Sequence, residues 1–179
     1  MELFNEQLVK RAKKPKQLII KILSVLLLIT IPVLCIILAY PLKLAYLIYI
    51  AFFIFIGGIY VVWYIFSQQK VEYEYSVSLG SLEVSKIIAL RKRKKMCKLE
   101  VKDIDILGKG AKTIEGIRFA KQIIAAGDPD KEDENYYAVF NSPAYGKTLL
   151  VFSPDEKILN AMKGNLKKDI VLKLFYHRG

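Results

Sequence analysis

Side chains able to do chemistry are few in this sequence, and their spacing limits what they can do. Proton transfer near neutral pH calls first for histidine. The chain has one, His177, two residues from the C-terminus, where chain ends tend to be mobile, and it reads as non-functional. Of the two cysteines, Cys35 lies inside a long apolar run and Cys97 inside an alternating strand pattern, so they are not expected to meet. Neither has metal spacing, and Cys97 reads as a small core residue rather than a nucleophile. Asp103 and Asp105 could coordinate a cation, as could Asp128, Asp130, Glu132, Asp133 and Glu134. The second group lacks the alternating ligands, central glycine and distal glutamate of a calcium loop, and reads as a solvated loop. Gly108, Lys109 and Gly110 lack the Lys-Ser/Thr ending of a phosphate-binding loop and read as a turn. The expectation is a protein that is not an enzyme and takes no metal or cofactor.

One chemical feature remains. Arg91, Lys92, Arg93, Lys94 and Lys95 form an unbroken basic run. It reads either as a solvated hairpin tip that blocks edge pairing, or as a contact with anionic lipid worth about 1 kcal/mol per basic residue. What decides between them is the element that carries the run and its distance from a membrane.

The apolar residues make a membrane near. From Ile22 to Leu42 the chain carries no charge, and at 1.5 Å per residue this run covers roughly 31 Å, enough to cross a bilayer. A second uncharged run, Leu44 to Phe66, follows at once, with Tyr46, Tyr49, Tyr60, Trp63 and Tyr64 near its ends where amphipathic rings favour the headgroups. Both exceed the about 7 to 15 residues of a secretory apolar region, and no small-residue cleavage site is evident after Leu38. Tyr40, Pro41, Leu42 and Lys43 make so short a turn that the helices must lie antiparallel and touch. Gly57 and Gly58 could permit close backbone approach or merely loosen a lipid-facing turn. Lys10, Arg11, Lys13, Lys14, Lys16 and Lys21 crowd the first flank, against Lys43 alone between the spans. The positive-inside rule then keeps the N-terminus cytoplasmic, and two crossings return the C-terminus there.

The net charge of +11 divides as +5 over residues 1–69 and +6 over residues 70–179. Such a balance suits nucleic acid too, but tethering beside a bilayer makes anionic headgroups the nearer partner. The implied organisation is a basic N-terminal segment, 1–16, a two-helix hairpin, 17–66, and a cytoplasmic domain, 67–179.

Within that domain Val71, Tyr73, Tyr75 and Val77 alternate with polar residues as a half-buried strand, and Leu79, Gly80 and Ser81 turn the chain. A second strand runs from Leu82 to about Leu90, with Lys86 exposed or snorkelling, and a third carries Cys97, Leu99 and Val101 beyond the basic turn. A break or bulge is expected near Asp103, a short helix over 112–119, a strand over 122–126 and an acidic loop over 127–135. Tyr136 to Asn141 and Thr148 to Phe152 read as a hairpin. Ser153, Pro154 and Glu156 read as an N-cap, first helical residue and capping-box partner. The helix that follows has one apolar face of Ile158, Leu159, Met162 and Leu166, and Ile170 to Phe175 reads as a final strand.

Antiparallel sheets capped by a C-terminal amphipathic helix form an α+β arrangement that resembles a pleckstrin-homology-like domain. The whole chain resembles a bacterial family with two N-terminal spans and such a domain. The resemblance is carried by Tyr73-Glu74-Tyr75, by Leu82-Glu83-Val84 leading through Lys86-Ile87-Ile88 to Arg91-Lys92-Arg93-Lys94, by Val101-Lys102-Asp103, and by Val151-Phe152-Ser153-Pro154-Asp155-Glu156. It implies a binding module for lipids, peptides or proteins. It does not imply phosphoinositide specificity, because the basic residues of inositide-binding members surround the first strand turn, which here is Leu79, Gly80 and Ser81. Two function classes are therefore expected: a membrane-anchored interaction module meeting a protein partner or the anionic inner leaflet, or an accessory subunit, homo-oligomeric or otherwise, assembled through the hairpin.

Overall fold

The computed structural model describes residues 4–13 and 15–176, so Lys14 and His177 lie outside the described residues. The chain divides into two compact units, one of residues 13–70 and one that joins the residues up to Ala12 with those from Val71 onward.

The first unit is the apolar hairpin. Helix α1 spans Pro15–Ala39 and helix α2 spans Tyr46–Gln68, both long and apolar enough to cross a membrane. Few of their residues are buried, unlike the core helix of a soluble protein. Gly58 accounts for the close approach between them, since a Cβ there would lie 2.5 Å from Leu28 Cδ1. Gly57 faces open space, so only one of the glycine pair serves packing.

The second unit contains two four-stranded sheets. In the first, β1 (Phe4–Lys10), β2 (Val71–Ser78), β3 (Ser81–Ile88) and β4 (Lys92–Glu100) lie in that order, all antiparallel. The second has the order β5 (Ile104–Lys109), β7 (Tyr136–Ser142), β8 (Gly146–Phe152) and β6 (Lys121–Ile124), with β6 parallel to β8. Residues of period two from the first sheet, Tyr73, Tyr75, Val77, Leu82 and Val84, meet Ile104, Leu107, Leu150 and Phe152 of the second in one buried cluster. Helix α3 (Glu156–Lys163) buries Ile158, Leu159 and Met162 in the same cluster. Tyr75 joins the parts: its hydroxyl donates to Ala125 O at 2.6 Å and accepts from Ser153 N at 3.1 Å. Burial holds its phenol well above the usual tyrosine range.

Several expectations are corrected here. The basic segment 1–16 is not a separate piece, because Phe4–Lys10 adds an edge strand to the first sheet. Its partner lies more than 60 residues along the chain, so no local pattern announces the pairing. Gln7 faces inward, donating to Ser153 O and accepting from Asp155 N, which satisfies a polar residue on the core side. Gly127 lets this strand approach, since a Cβ there would lie 2.8 Å from Val9 Cγ1 and 3.3 Å from Lys10 O.

The last described residues are helical, with a turn at Lys168–Val171 running on as a π turn over Leu172–Tyr176, in place of the expected strand. Burial of Ile170 and packing of Val171, Leu174 and Phe175 on the core select spacings of three and four over alternation. Asp155, not Ser153, caps α3, accepting from Ile158 N at 2.8 Å. Ser153 instead accepts from Gly127 N at 3.1 Å and donates to Asn135 Oδ1 at 2.8 Å. The helix expected over 112–119 reduces to one 3-10 turn at Ala111–Ile114, before Gly116 at φ 76°. The break expected near Asp103 is present as a 3-10 turn, Val101–Asp103, which takes Val101 out of the third domain strand, and a register shift follows between Ile104 and Ile106.

Candidate membrane-surface site

The basic run belongs mostly to a strand rather than to a hairpin tip. The turn between β3 and β4 is made by Ala89 and Leu90, closed by Arg91 N donating to Ile88 O at 3.1 Å. Lys92, Arg93, Lys94 and Lys95 follow along β4, which is an edge strand. Successive strand residues point to opposite faces, so the run divides.

Cross-strand register assigns each face. Lys94 lies opposite Lys86 and Lys92 opposite Ile88, on the face that carries Val84 and Leu82 further along β3. Arg93 lies opposite Ile87, and Lys95 opposite Ser85, on the other face. A bulge between Val84 and Ser85, opposite Lys95 and Cys97, brings Met96 into the extra position.

The two faces treat their charges differently. Arg93 forms an ion pair with Glu74, which is only 7 % exposed, and approaches Glu6 Oε1 at 3.8 Å. It therefore ties β4 to β2 and to β1 across the sheet. Lys95 pairs with Glu83 at 2.8 Å. Glu6 is held above the usual carboxylate range, first by loss of hydration and then by its hydrogen bond and repulsion with Glu74, against the pull of Arg93.

On the opposite face, Lys86, Lys92 and Lys94 make no ion pair among the described residues. Like charges directly opposite on a sheet repel, so the Lys86 and Lys94 pair costs the sheet stability by itself. Lys86 lies outside the contiguous run, and only the pairing across the turn brings it to Lys94. Counting back from the turn by period two would have found it.

This site stands at a particular end of the sheet. Val71 pairs with Ile88, so the turn at Ala89 and Leu90 lies beyond the first residue of β2. That residue follows the end of α2, Gln68, by three residues, which is at most about 11 Å of chain. The opposite turn, at Leu79 and Gly80, lies a full strand length away, about 25 Å.

Several of the other candidates have internal contacts. Asp105 pairs with Lys167 at 2.7 Å, and Lys131 with Glu134 at 2.9 Å. Asp128 Oδ1 accepts from Asp130 N at 3.2 Å, and its backbone oxygen accepts from buried Asn135 at 2.7 Å. Among the described residues no cluster of three or more His, Cys, Asp or Glu is placed to hold a metal. Cys97 is half-buried, and loss of hydration pushes its thiol up to about 12, with Glu83 adding to the rise, so it stays protonated near neutral pH.

Two four-stranded, mostly antiparallel sheets are consistent with a pleckstrin-homology-like domain, in a chain whose two long apolar helices fit a two-span membrane protein. The chain belongs to the family described as bacterial PH-like domain (DUF6106), whose model matches residues 1–172. No curated protein and no solved structure matched it. Domains of this class are generally non-catalytic.

Proposed function

We propose that this protein is a non-enzymatic, membrane-anchored interaction module. Its domain and both chain ends are cytoplasmic, and the domain meets the anionic inner leaflet through the helix-adjacent end of its first sheet. One observation carries the reading. The strand before the spans, β1, pairs with the strand after them, β2, so the apolar hairpin is an insertion between neighbouring strands of one sheet. That pairing supports both strands lying on one side of the bilayer, and the positive-inside rule favours the cytoplasm. Lys86, Lys92 and Lys94 are the contact residues this favours, while Arg93 and Lys95 have partners within the sheet.

Cysteine labelling tests the sidedness. Single cysteines at Asn5 and at Asp130, in intact cells, are both expected to be protected from an impermeant reagent. Labelling of either from outside refutes the cytoplasmic placement, and labelling of one alone refutes the shared sheet.

A second reading, an accessory subunit assembled through its spans, is favoured by an apolar groove of about 360 Å³ on the hairpin, lined by Pro32, Ile36, Ala51 and Phe55 among others. Co-purification through the hairpin with a substituted domain, rather than through the domain, distinguishes it.

A further inference from the structure

Leu90 is a large apolar residue held out into solvent by an unfavourable backbone. It is 61 % exposed, and both it and Ala89 have positive φ, 57° and 56°. A two-residue turn with both central φ values positive favours Asn, Asp or Gly, because a Cβ is strained there. Neither strain nor exposure is repaid by contacts within the domain. Leu90 is absent from the buried cluster between the sheets, from a second one formed by Ala126, Tyr137, Val139, Leu149 and Val151, and from the residues packed on either.

Its surroundings suggest what repays them. Arg91 and Lys92 follow it directly, and Lys94 and Lys86 stand behind on one face. The turn extends past Val71, at the end of the sheet tethered within about 11 Å of chain to the end of α2. An apolar tip with a basic collar matches an anionic bilayer interface, where the alkyl side chain leaves water and the cations meet phosphate oxygens. A protein partner could bind an apolar tip as well, but the short connection from α2 to β2 puts lipid within reach of this end of the sheet.

We propose that Leu90 inserts into the inner leaflet as a wedge, seating the domain at a fixed tilt on the membrane that its own helices cross. This rests on the leaflet-contact reading above and goes beyond it, since a purely electrostatic contact would leave Leu90 in the headgroup water. Leu79 supplies a matched control within the same sheet. It too is exposed, at 82 %, and has positive φ, 49°, but it sits in the opposite turn between Ser78 and Gly80, with no basic run beside it.

The test uses the full-length chain in vesicles of phosphatidylcholine and phosphatidylglycerol, with Cys35 and Cys97 replaced by alanine. A polarity-sensitive fluorophore is placed on Leu90→Cys or on Leu79→Cys, and quenching is compared between nitroxides on the lipid headgroup and on the upper acyl chain. Both turn residues are exposed, so the labelled chains should fold, and their unfolding midpoints check this. The expected result is a blue-shifted Leu90→Cys label, quenched several-fold more by the acyl-chain nitroxide than the Leu79→Cys label. Lys92→Gln with Lys94→Gln should reduce that quenching. Quenching of the Leu90→Cys label by the headgroup nitroxide alone would overturn insertion and leave the leaflet contact standing. Quenching by neither would overturn both.

Discussion

Glu6 and Glu74 share one face of the first sheet on neighbouring strands, and Arg93 is the cation between them. Because the folded chain holds the Glu6 proton more tightly than the unfolded chain does, protonating Glu6 favours folding. Its stabilising contribution is complete below the ordinary value of 4.5 and is lost as pH rises through the raised one. Glu6→Gln should therefore flatten the fall in unfolding midpoint just above that value and leave the chain no less stable near neutral pH. A wild-type-like slope in thermal scans of the variant would show that Glu6 does not bind the extra proton. The helix cap gives a second residue-scale expectation. Asp155→Ala should cost about 1 kcal/mol through loss of the bond to Ile158 N, with α3 frayed. Ser153→Ala should cost roughly 1 to 3 kcal/mol by leaving Gly127 N and Asn135 Oδ1 without their partner, with α3 intact. Denaturant unfolding with helical circular dichroism separates them, and fraying in the Ser153 variant would reverse the assignment. The sequence placed the helix start within two residues but could not name the cap. Ser153 and Asp155 are both good caps, and only the chain's return past Gly127 and Asn135 draws Ser153 away.

At the scale of elements, local pattern was legible where the partner is near. The alternation at Val71 to Val77 marks a strand with one face buried, whereas the hairpin of β7 and β8, buried on both faces, shows as two continuous apolar runs around a turn, and each pairs with a neighbour in sequence. The C-terminal segment misled because Ile170, Val171, Leu172, Leu174 and Phe175 fit a strand by composition, whereas the core takes them at helical spacing. The hairpin of α1 and α2 was legible from length and charge alone, yet its packing was not, since either glycine could have served. Leu28 against Gly58 decides that. Gly58→Ile should therefore drive the helices apart and lower the midpoint of dodecyl sulfate unfolding measured by circular dichroism, while Gly57→Ile, facing open space, should leave it unchanged. Equal midpoints in the two variants would show that the close approach contributes no stability. Run division on β4 is the same lesson in another form, because charge contiguous in sequence becomes two faces once the segment is extended.

The whole molecule is organised by one topological fact, the insertion of an apolar hairpin between strands that lie side by side. The ends of the insertion are close, since Arg11 N donates to Val71 O at 3.0 Å and Ala12 N to Gly127 O at 2.7 Å. Residues 13–70 can then be removed and Ala12 joined to Val71 through a short glycine-containing turn without disturbing the first sheet. Such a chain should be soluble and fold with the strands of the native domain. A chain that simply starts at Val71 should do worse, although it carries every residue after the spans. It lacks β1, exposes the edge of β2, leaves Tyr73 and Tyr75 less covered, and loses both Gln7 hydrogen bonds and the half-buried Val9. Together these should cost about 2 kcal/mol or more. The unpaired β2 edge should also promote association between copies. Urea unfolding and light scattering of the joined and truncated chains measure both effects. If the two chains unfold at the same midpoint and both stay monomeric, β1 is dispensable to the domain, and the argument from its pairing to a shared side of the membrane loses its support.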